Sequence, residues 1–288
     1  MKKFKLLSIT VLFILISIKS FGQSINNDNM EPQITSKTIV FVHGLFLTPR
    51  NWENWKIFFE KMGYSCYTLP NPGHEGEPSE LRSNIIPYLG ETTYEDLIQN
   101  LVKFIDSLPE KPIIIGHSLG GLAAQKLVAM DKAVMGVCIS SAAPKGIGTM
   151  KRSFWKSNFT VINPFKGNSV FMPTKKWFHY AFCNTMSREE SDQLFNQYVV
   201  PESRNVPRGT LKKFAKIDFK KTHAPLLFIA GKEDHIVPHS LVEKNFKAYK
   251  DNSGIKEYKL FENRDHFICG EENGEEVASY VHKWIIKN

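Results

Sequence analysis

The stretch 112-PIIIGHSLGGLAAQ-125 decides how this chain is read. Its first half is a run of isoleucines closed by Gly116 and His117, the composition of a buried strand. Its second half is built of leucine, alanine and glutamine, which favour helix. Ser118 is therefore the joint of a strand-to-helix turn, and Gly116-His117-Ser118-Leu119-Gly120 fits G-x-S-x-G. A serine in such a turn is held in strained backbone geometry, with its hydroxyl projecting above the sheet. Gly116 and Gly120 lack side chains, so strand and helix can approach closely. The helix N-terminus then turns free N–H groups and a positive dipole end toward the serine. A plainer use exists for the same residue, as the N-cap of a helix in a glycine-rich turn. The rest of the chain decides between the two.

Outward from this turn, strands and helices alternate. 38-TIVFVHG-44, 64-YSCYTLP-70, 134-VMGVCISSA-142, 224-APLLFIAG-231 and 255-IKEYKLFE-262 read as further strands, giving six with 112–117. They are read as apolar throughout, the pattern of a parallel sheet covered by helices on both faces. Thr48-Pro49 is a helix start, followed by Trp52, Trp55 and Phe59 at helical spacing and by Gly63 as the stop. Residues 71–82 read as a loop. Thr93 opens a helix with Leu97, Leu101, Phe104 or Ile105, and Leu108 on its apolar stripe. Residues 239–249 and 274–287 are the last two helices.

The alternation breaks between Pro144 and His223. Helical pieces fill this stretch, among them one opened by the capping box Ser187-Arg188-Glu189-Glu190. Aromatics are dense here: Phe154, Trp155, Phe159, Phe165, Phe171, Trp177, Phe178, Tyr180 and Phe182. Most must pack the insertion onto the core, and a few face a ligand. The expected organisation is a core of residues 37–143 and 223–288 with a helical cap over 144–222.

The N-terminus has another use. MKKFK is basic, Leu6–Ile18 is apolar, and Ser20-Phe21-Gly22 offers small residues as at a cleavage site. The apolar run is short against the ~20 residues of a membrane span. Residues 1–22 are read as a secretory signal, with an uncleaved N-terminal anchor as the alternative, and 23–36 as a loose arm. An exported protein, periplasmic or secreted, follows from that reading. The chain carries a net charge of +8, but residues 1–22 hold four lysines and no acid, so the remainder is +4. That mild excess, without a basic run or a nucleic-acid motif, gives no support to nucleic-acid binding. With 42% hydrophobic and 23% charged residues the chain is neither disordered nor fibrous. Cys66 and Cys138 fall in strand-like runs and Cys183 and Cys269 outside them; sequence does not pair them.

A serine nucleophile needs a base and an acid to orient it. His266, in 261-FENRDHFICG-270, follows the last strand, where parallel sheets place their sites. Asp234, in 231-GKEDHIVP-238, follows the strand before it. The order Ser118, Asp234, His266 is nucleophile, acid, base, as the nucleophile-elbow motif expects. A tetrahedral intermediate also needs two N–H donors. Leu119, after the nucleophile, supplies one; the early loop His43-Gly44-Leu45-Phe46 supplies the other from Leu45, with Phe46 as the fallback. Glu233 is a reserve acid. His43 would brace its loop, His74 would be structural, and His117 would pack or hydrogen-bond. A metal between His235 and His239 is disfavoured, because Pro238 interrupts the helix that would align them.

These residues together resemble the α/β-hydrolase superfamily, from about Thr38 to the C-terminus. The HG loop, the GHSLGG elbow, the GKEDHIVP acid loop and the RDHF histidine carry the resemblance. VHGLFLTPRNWENW and SSAAPKGI are similar to a group of bacterial α/β hydrolases and imply no particular substrate. The superfamily implies hydrolysis of an ester, thioester or amide; the triad mechanism needs no metal or organic cofactor, and the aromatic cap points to a partly apolar small-molecule substrate. Lyase, cofactor-free oxygenase or C–C hydrolase chemistry on the same triad, and ligand binding on a hydrolase scaffold, are the alternatives. The chain departs from the usual core by lacking the first two sheet strands.

Overall fold

A computed structural model describes residues 36–251, 254–271 and 273–288. The expected signal and all but the last residue of the arm lie outside them. The strands are β1 Thr38–Val42, β2 Ser65–Leu69, β3 Ile113–His117, β4 Met135–Ile139, β5 Val170–Phe171, β6 Glu202–Ser203, β7 Leu226–Gly231 and β8 Lys256–Phe261. The α-helices, in chain order, are α1 Glu53–Lys61, α2 Pro78–Ser83, α3 Tyr94–Ile105, α4 Leu119–Ala129, α5 Arg152–Asn158, α6 Lys175–Ala181, α7 Arg188–Tyr198, α8 Asn205–Gly209, α9 His239–Ala248 and α10 Gly274–Lys287.

Six strands form one sheet in the order β2-β1-β3-β4-β7-β8, each pair parallel. Alternate residues of the central strands point to opposite faces, and both faces are covered. Ile39, Phe41, Ile113, Ile115, Val137 and Ile229 pack with Trp52, Trp55 and Phe59 around α1 and with Val277, Val281 and Trp284 of α10. Val40, Val42, Ile114, Cys138 and Phe228 pack with Leu97 and Leu101 of α3, Leu122 and Leu127 of α4 and Leu241 of α9.

The edge strands depart from the expectation of wholly apolar strands. β1, β3, β4 and β7 are buried along their length, but β2 alternates and all of β8 except Phe261 is only half-buried. An edge strand has a neighbour on one side only, and Lys256, Glu257 and Lys259 keep that side soluble.

Local signals explain most helix ends. Thr93 and Asp96 form a full capping box on α3, as Ser187 and Glu190 do on α7. Gly63, at φ +84°, follows α1. Thr48 precedes Pro49 as expected, but it opens a 3-10 turn, Pro49–Trp52, and its hydroxyl makes no cap bond. The segment expected to be a loop over 71–82 contains the start of α2. That short polar helix is held from outside, by Arg82 donating to the carbonyls of Asn196 and Val199.

Helices α5–α8 and the antiparallel pair β5–β6 lie between β4 and β7. They are tied to the core through backbone. Val200 N–H donates to Phe46 O, Phe267 N–H to Phe182 O, and Asn158 Nδ2 to Ile236 O. Cys66, Cys138, Cys183 and Cys269 are all buried and free.

Candidate active site

Ser118 stands at the C-terminal end of β3, between the central strands β1 and β4. Its φ of +55° and ψ of −115° place it in a region a non-glycine residue adopts only when its surroundings over-determine it. Ser118 N–H donates to Ile139 O, and Ser118 O accepts from Leu122 and Ala142. The flanking glycines are sterically required. A Cβ on Gly116 would lie 1.9 Å from Gly120 O, and one on Gly120 would lie 2.1 Å from Val42 O. Backbone meets backbone at both positions, so no side chain can move aside.

His266 and Asp234 meet as expected. His266 Nδ1 lies 2.7 Å from Asp234 Oδ2, with both side chains fully buried. A carboxylate only accepts, so Nδ1 carries the proton of this bond. Nε2 is buried with no hydrogen-bond partner among the described residues. Asp234 Oδ1 accepts from Val237 N–H at 2.7 Å, which fixes the carboxylate. Glu233, the reserve acid, is exposed; its neighbour Asp234 makes the contact.

His117 links this pair to the serine. Its Nε2 donates to His266 O at 2.7 Å, and the two rings lie 4.7 Å apart. Burial, then the neighbouring His266, hold the His117 imidazole well below its usual range, so it stays neutral.

The HG loop lies against the serine: a Cβ on Gly44 would be 2.8 Å from Ser118 Cβ. His43 Nε2 accepts from Asn71 N–H and its Nδ1 donates to Gly44 O, at 3.0 and 2.9 Å. Burial and His74 push the His43 ring down to about 3. Leu45 shares a cavity with Ser118 and Leu119. As the first residue of α4, Leu119 has no intrahelical acceptor for its N–H. Phe46, the fallback donor, is oriented elsewhere. Its φ is +65° and its ring packs against Phe171, Trp177 and Phe182.

The cavity holds about 100 Å³. The core lines it with Leu45, Ser118, Leu119, Ala142, Ala143, Ile236, Val237 and Leu241, and the insertion with Phe154, Asn158, Ile162, Pro207, Thr210 and Leu211. Of the nine insertion aromatics named above, Phe154 reaches it; Phe178 and Phe182 are buried, and Trp155, Phe159 and Phe165 are exposed. A larger open groove of about 620 Å³ between Thr185 and Glu276 contains none of Ser118, Asp234 and His266.

Several participants were not singled out as such from sequence. Asp265 is fully buried and accepts from Thr185 N–H, Thr185 Oγ1 and Phe267 N–H, fastening the histidine loop to the insertion. Burial pushes its carboxyl up to about 7. His74 lies between the carbonyls of Leu47 and Pro201, 3.6 Å from Glu202. Its place in the NPGHEG loop signalled a structural role, but not the partner in the insertion. His235 Nδ1 is paired with Tyr180 O. No group of three His, Cys, Asp or Glu side chains among the described residues could hold a metal ion.

Residues 39–280 match the alpha/beta hydrolase family. The chain belongs to that family. No curated protein sequence matches it. Among solved structures, this alpha/beta hydrolase is similar to a monoacylglycerol lipase of Paleococcus ferrophilus, at TM-score 0.63 and 19% identity, covering 87% of this chain and 94% of that one. It is similar to tomato methylketone synthase I, crystallised with 2-tridecanone, at TM-score 0.65 and 18% identity, covering 88% and 98%. An extracellular alpha/beta-hydrolase from a Paenibacillus species gives TM-score 0.62 and 20% identity, covering 85% and 98%. At these identities the likeness is one of fold. No helix among the described residues is long and apolar enough to cross a membrane.

Proposed function

We propose that this alpha/beta hydrolase cleaves carboxylic ester or thioester bonds through an acyl-enzyme on Ser118. The observation that carries the reading is the buried His266–Asp234 hydrogen bond, which leaves His266 Nε2 unpartnered in the neighbourhood of a strained serine. In the first half-reaction His266 takes the Ser118 proton as Oγ attacks the carbonyl carbon. The oxyanion is held by the N–H groups of Leu119 and Leu45, and His266 returns the proton to the leaving alcohol or thiol. In the second half water attacks the acyl carbon and gives a proton to His266, which passes it to Ser118 Oγ as the acid is released. Asp234 fixes the tautomer and stabilises the imidazolium. The apolar lining above Ser118 supports a small, partly apolar substrate. The basic start and the apolar run Leu6–Ile18 support export.

The test is labelling with a fluorophosphonate probe, which reacts with activated serines. The wild-type protein is labelled and Ser118→Ala is not, while both unfold at the same temperature. Equal labelling of a folded Ser118→Ala protein overturns the assignment.

A further inference from the structure

Charge is segregated along this chain. From Asp131 to Glu189 there is no acid in between, and nine lysines and arginines. Residues 144–222 carry fifteen Lys/Arg against five Asp/Glu, net +10. Residues 23–143 and 223–288 carry eighteen against twenty-four, net −6. Lys145, Lys151, Arg152, Lys166, Lys212 and Lys213 are exposed. The exposed ion pairs of the insertion instead join Lys175 and Arg188 to Asp192.

The same segment exposes large apolar side chains. Met150 is 87% exposed, Phe159 64%, Phe165 94%, Leu211 62% and Trp155 43%. Two of them, Trp155 and Phe159, are placed by α5. Phe154 and Asn158 of that helix line the cavity over Ser118, while Trp155 and its i+4 neighbour Phe159, one step round, are exposed. Leu211 does both: it lines the cavity and reaches solvent. Leu211 thus joins the exposed apolar set to the wall of the cavity that Ser118 occupies, and Trp155 and Phe159 adjoin the lining residues Phe154 and Asn158 in sequence.

We infer that this face docks on an anionic lipid bilayer. Exposed aromatic and aliphatic side chains set among unpaired cations are what an interfacial surface needs: the rings enter the headgroup boundary and the cations meet lipid phosphates. A nucleic acid fits less well, because Met150 and Leu211 offer no ring on which a base could stack. The docking does not depend on the reaction at Ser118. Its consequence is that the cavity wall formed by Leu211 meets the lipid phase.

The test is co-sedimentation of the full-length protein with vesicles of phosphatidylglycerol and, separately, of phosphatidylcholine. Two variants are compared with the wild type: Lys151→Gln/Lys166→Gln/Lys212→Gln, and Phe159→Ser/Phe165→Ser. None of these residues lines the cavity, so turnover of a water-soluble ester serves as the control for folding and stays unchanged. Residues 1–35 are identical in all forms, so any binding through them is common to all. The wild type binds phosphatidylglycerol more tightly and loses that preference in high salt. Removing three cations lowers partitioning on the order of 100-fold. Removing two phenyl groups lowers it by a similar factor, on the order of 100-fold. Equal partitioning of all three forms overturns the proposal, as does equal binding to both lipids. Loss with the lysine variant alone also overturns it, because binding by charge without insertion is not docking on a bilayer. A single-stranded oligonucleotide that outcompetes the vesicles reassigns the face to nucleic acid.

Discussion

Gly116→Ala tests the elbow directly. The new Cβ would sit 1.9 Å from Gly120 O, and ordinary contact begins at 3.4 Å, so β3 and α4 must separate by about 1.5 Å. Neither side can yield by a rotamer change, because the colliding atoms are backbone. Overpacking of this kind costs about 1–3 kcal/mol. For a domain of this size that lowers Tm by roughly 2–4 °C per kcal/mol, which leaves the protein folded at room temperature. Catalysis should suffer more. Ser118 and Leu119 lie between the two colliding positions, so the hydroxyl and one oxyanion donor move with the separation. A misplacement of ~1 Å costs about 100-fold in rate. The assay is kcat on a p-nitrophenyl ester beside a thermal melt. Gly148→Ala is the control, since nothing lies within 4 Å of its Cβ position and its backbone needs no positive φ. A folded Gly116→Ala protein with activity within a few-fold of wild type would show that the close approach does not set the geometry of Ser118.

Asp234→Asn should reduce kcat on the order of 10⁴-fold by stabilising the wrong tautomer of His266, whereas Glu233→Gln should leave it near wild type; comparable losses in both would move the acid. His43 is buried and neutral, with its pKa lowered to about 3 from 6.5. Below pH 6.5 the unfolded chain binds a proton there that the folded chain refuses, so stability falls as pH drops, by about 1.4 kcal/mol per pH unit. Asp265, pushed up to about 7, acts in the opposite sense. The comparison of urea midpoints between wild type and His43→Asn at pH 7, 6 and 5 therefore carries the test: the variant should show the shallower fall, and parallel curves count against a buried neutral His43.

The sheet was legible because its central strands are built from β-branched and aromatic residues with no other use, and the elbow because glycines at 116 and 120 flank a serine between strand and helix. The acid and base were legible by their place after β7 and β8. What was hidden depends on contacts without local pattern. β5 and β6 are two residues each, too short for any periodicity, and α2 is fixed by Arg82 reaching α7. Phe46 read as a fallback donor because neighbouring loop positions are equivalent in sequence; only the fold shows that Leu45 lines the cavity with Ser118 while the Phe46 ring packs against Phe171, Trp177 and Phe182. Asp265 carries no signal in sequence beyond its place next to His266, and only the fold brings Thr185 to it. The half-exposed β8 read as buried because its edge position is a property of strand order.

The pairing of β4 with β7 has a bearing on how this protein can change. The two strands are adjacent and parallel, with Ile139 opposite Ile229, so the long connection leaves the carboxyl end of β4 and returns to the amino end of its neighbour β7. Parallel strands need a crossover of a dozen residues or more in any case. Beyond that, doubling the length of a connection costs only about 0.6 kcal/mol in closure entropy. Residues 144–222 can therefore lengthen or shorten at little cost in closure entropy, provided the buried contacts of Phe178, Phe182 and Thr185 with the core are kept. They supply Phe154, Ile162, Pro207 and Leu211 to the cavity, while Ser118, Asp234 and His266 all belong to the core. The chemistry and the choice of substrate thus sit on parts of the chain that can evolve at different rates.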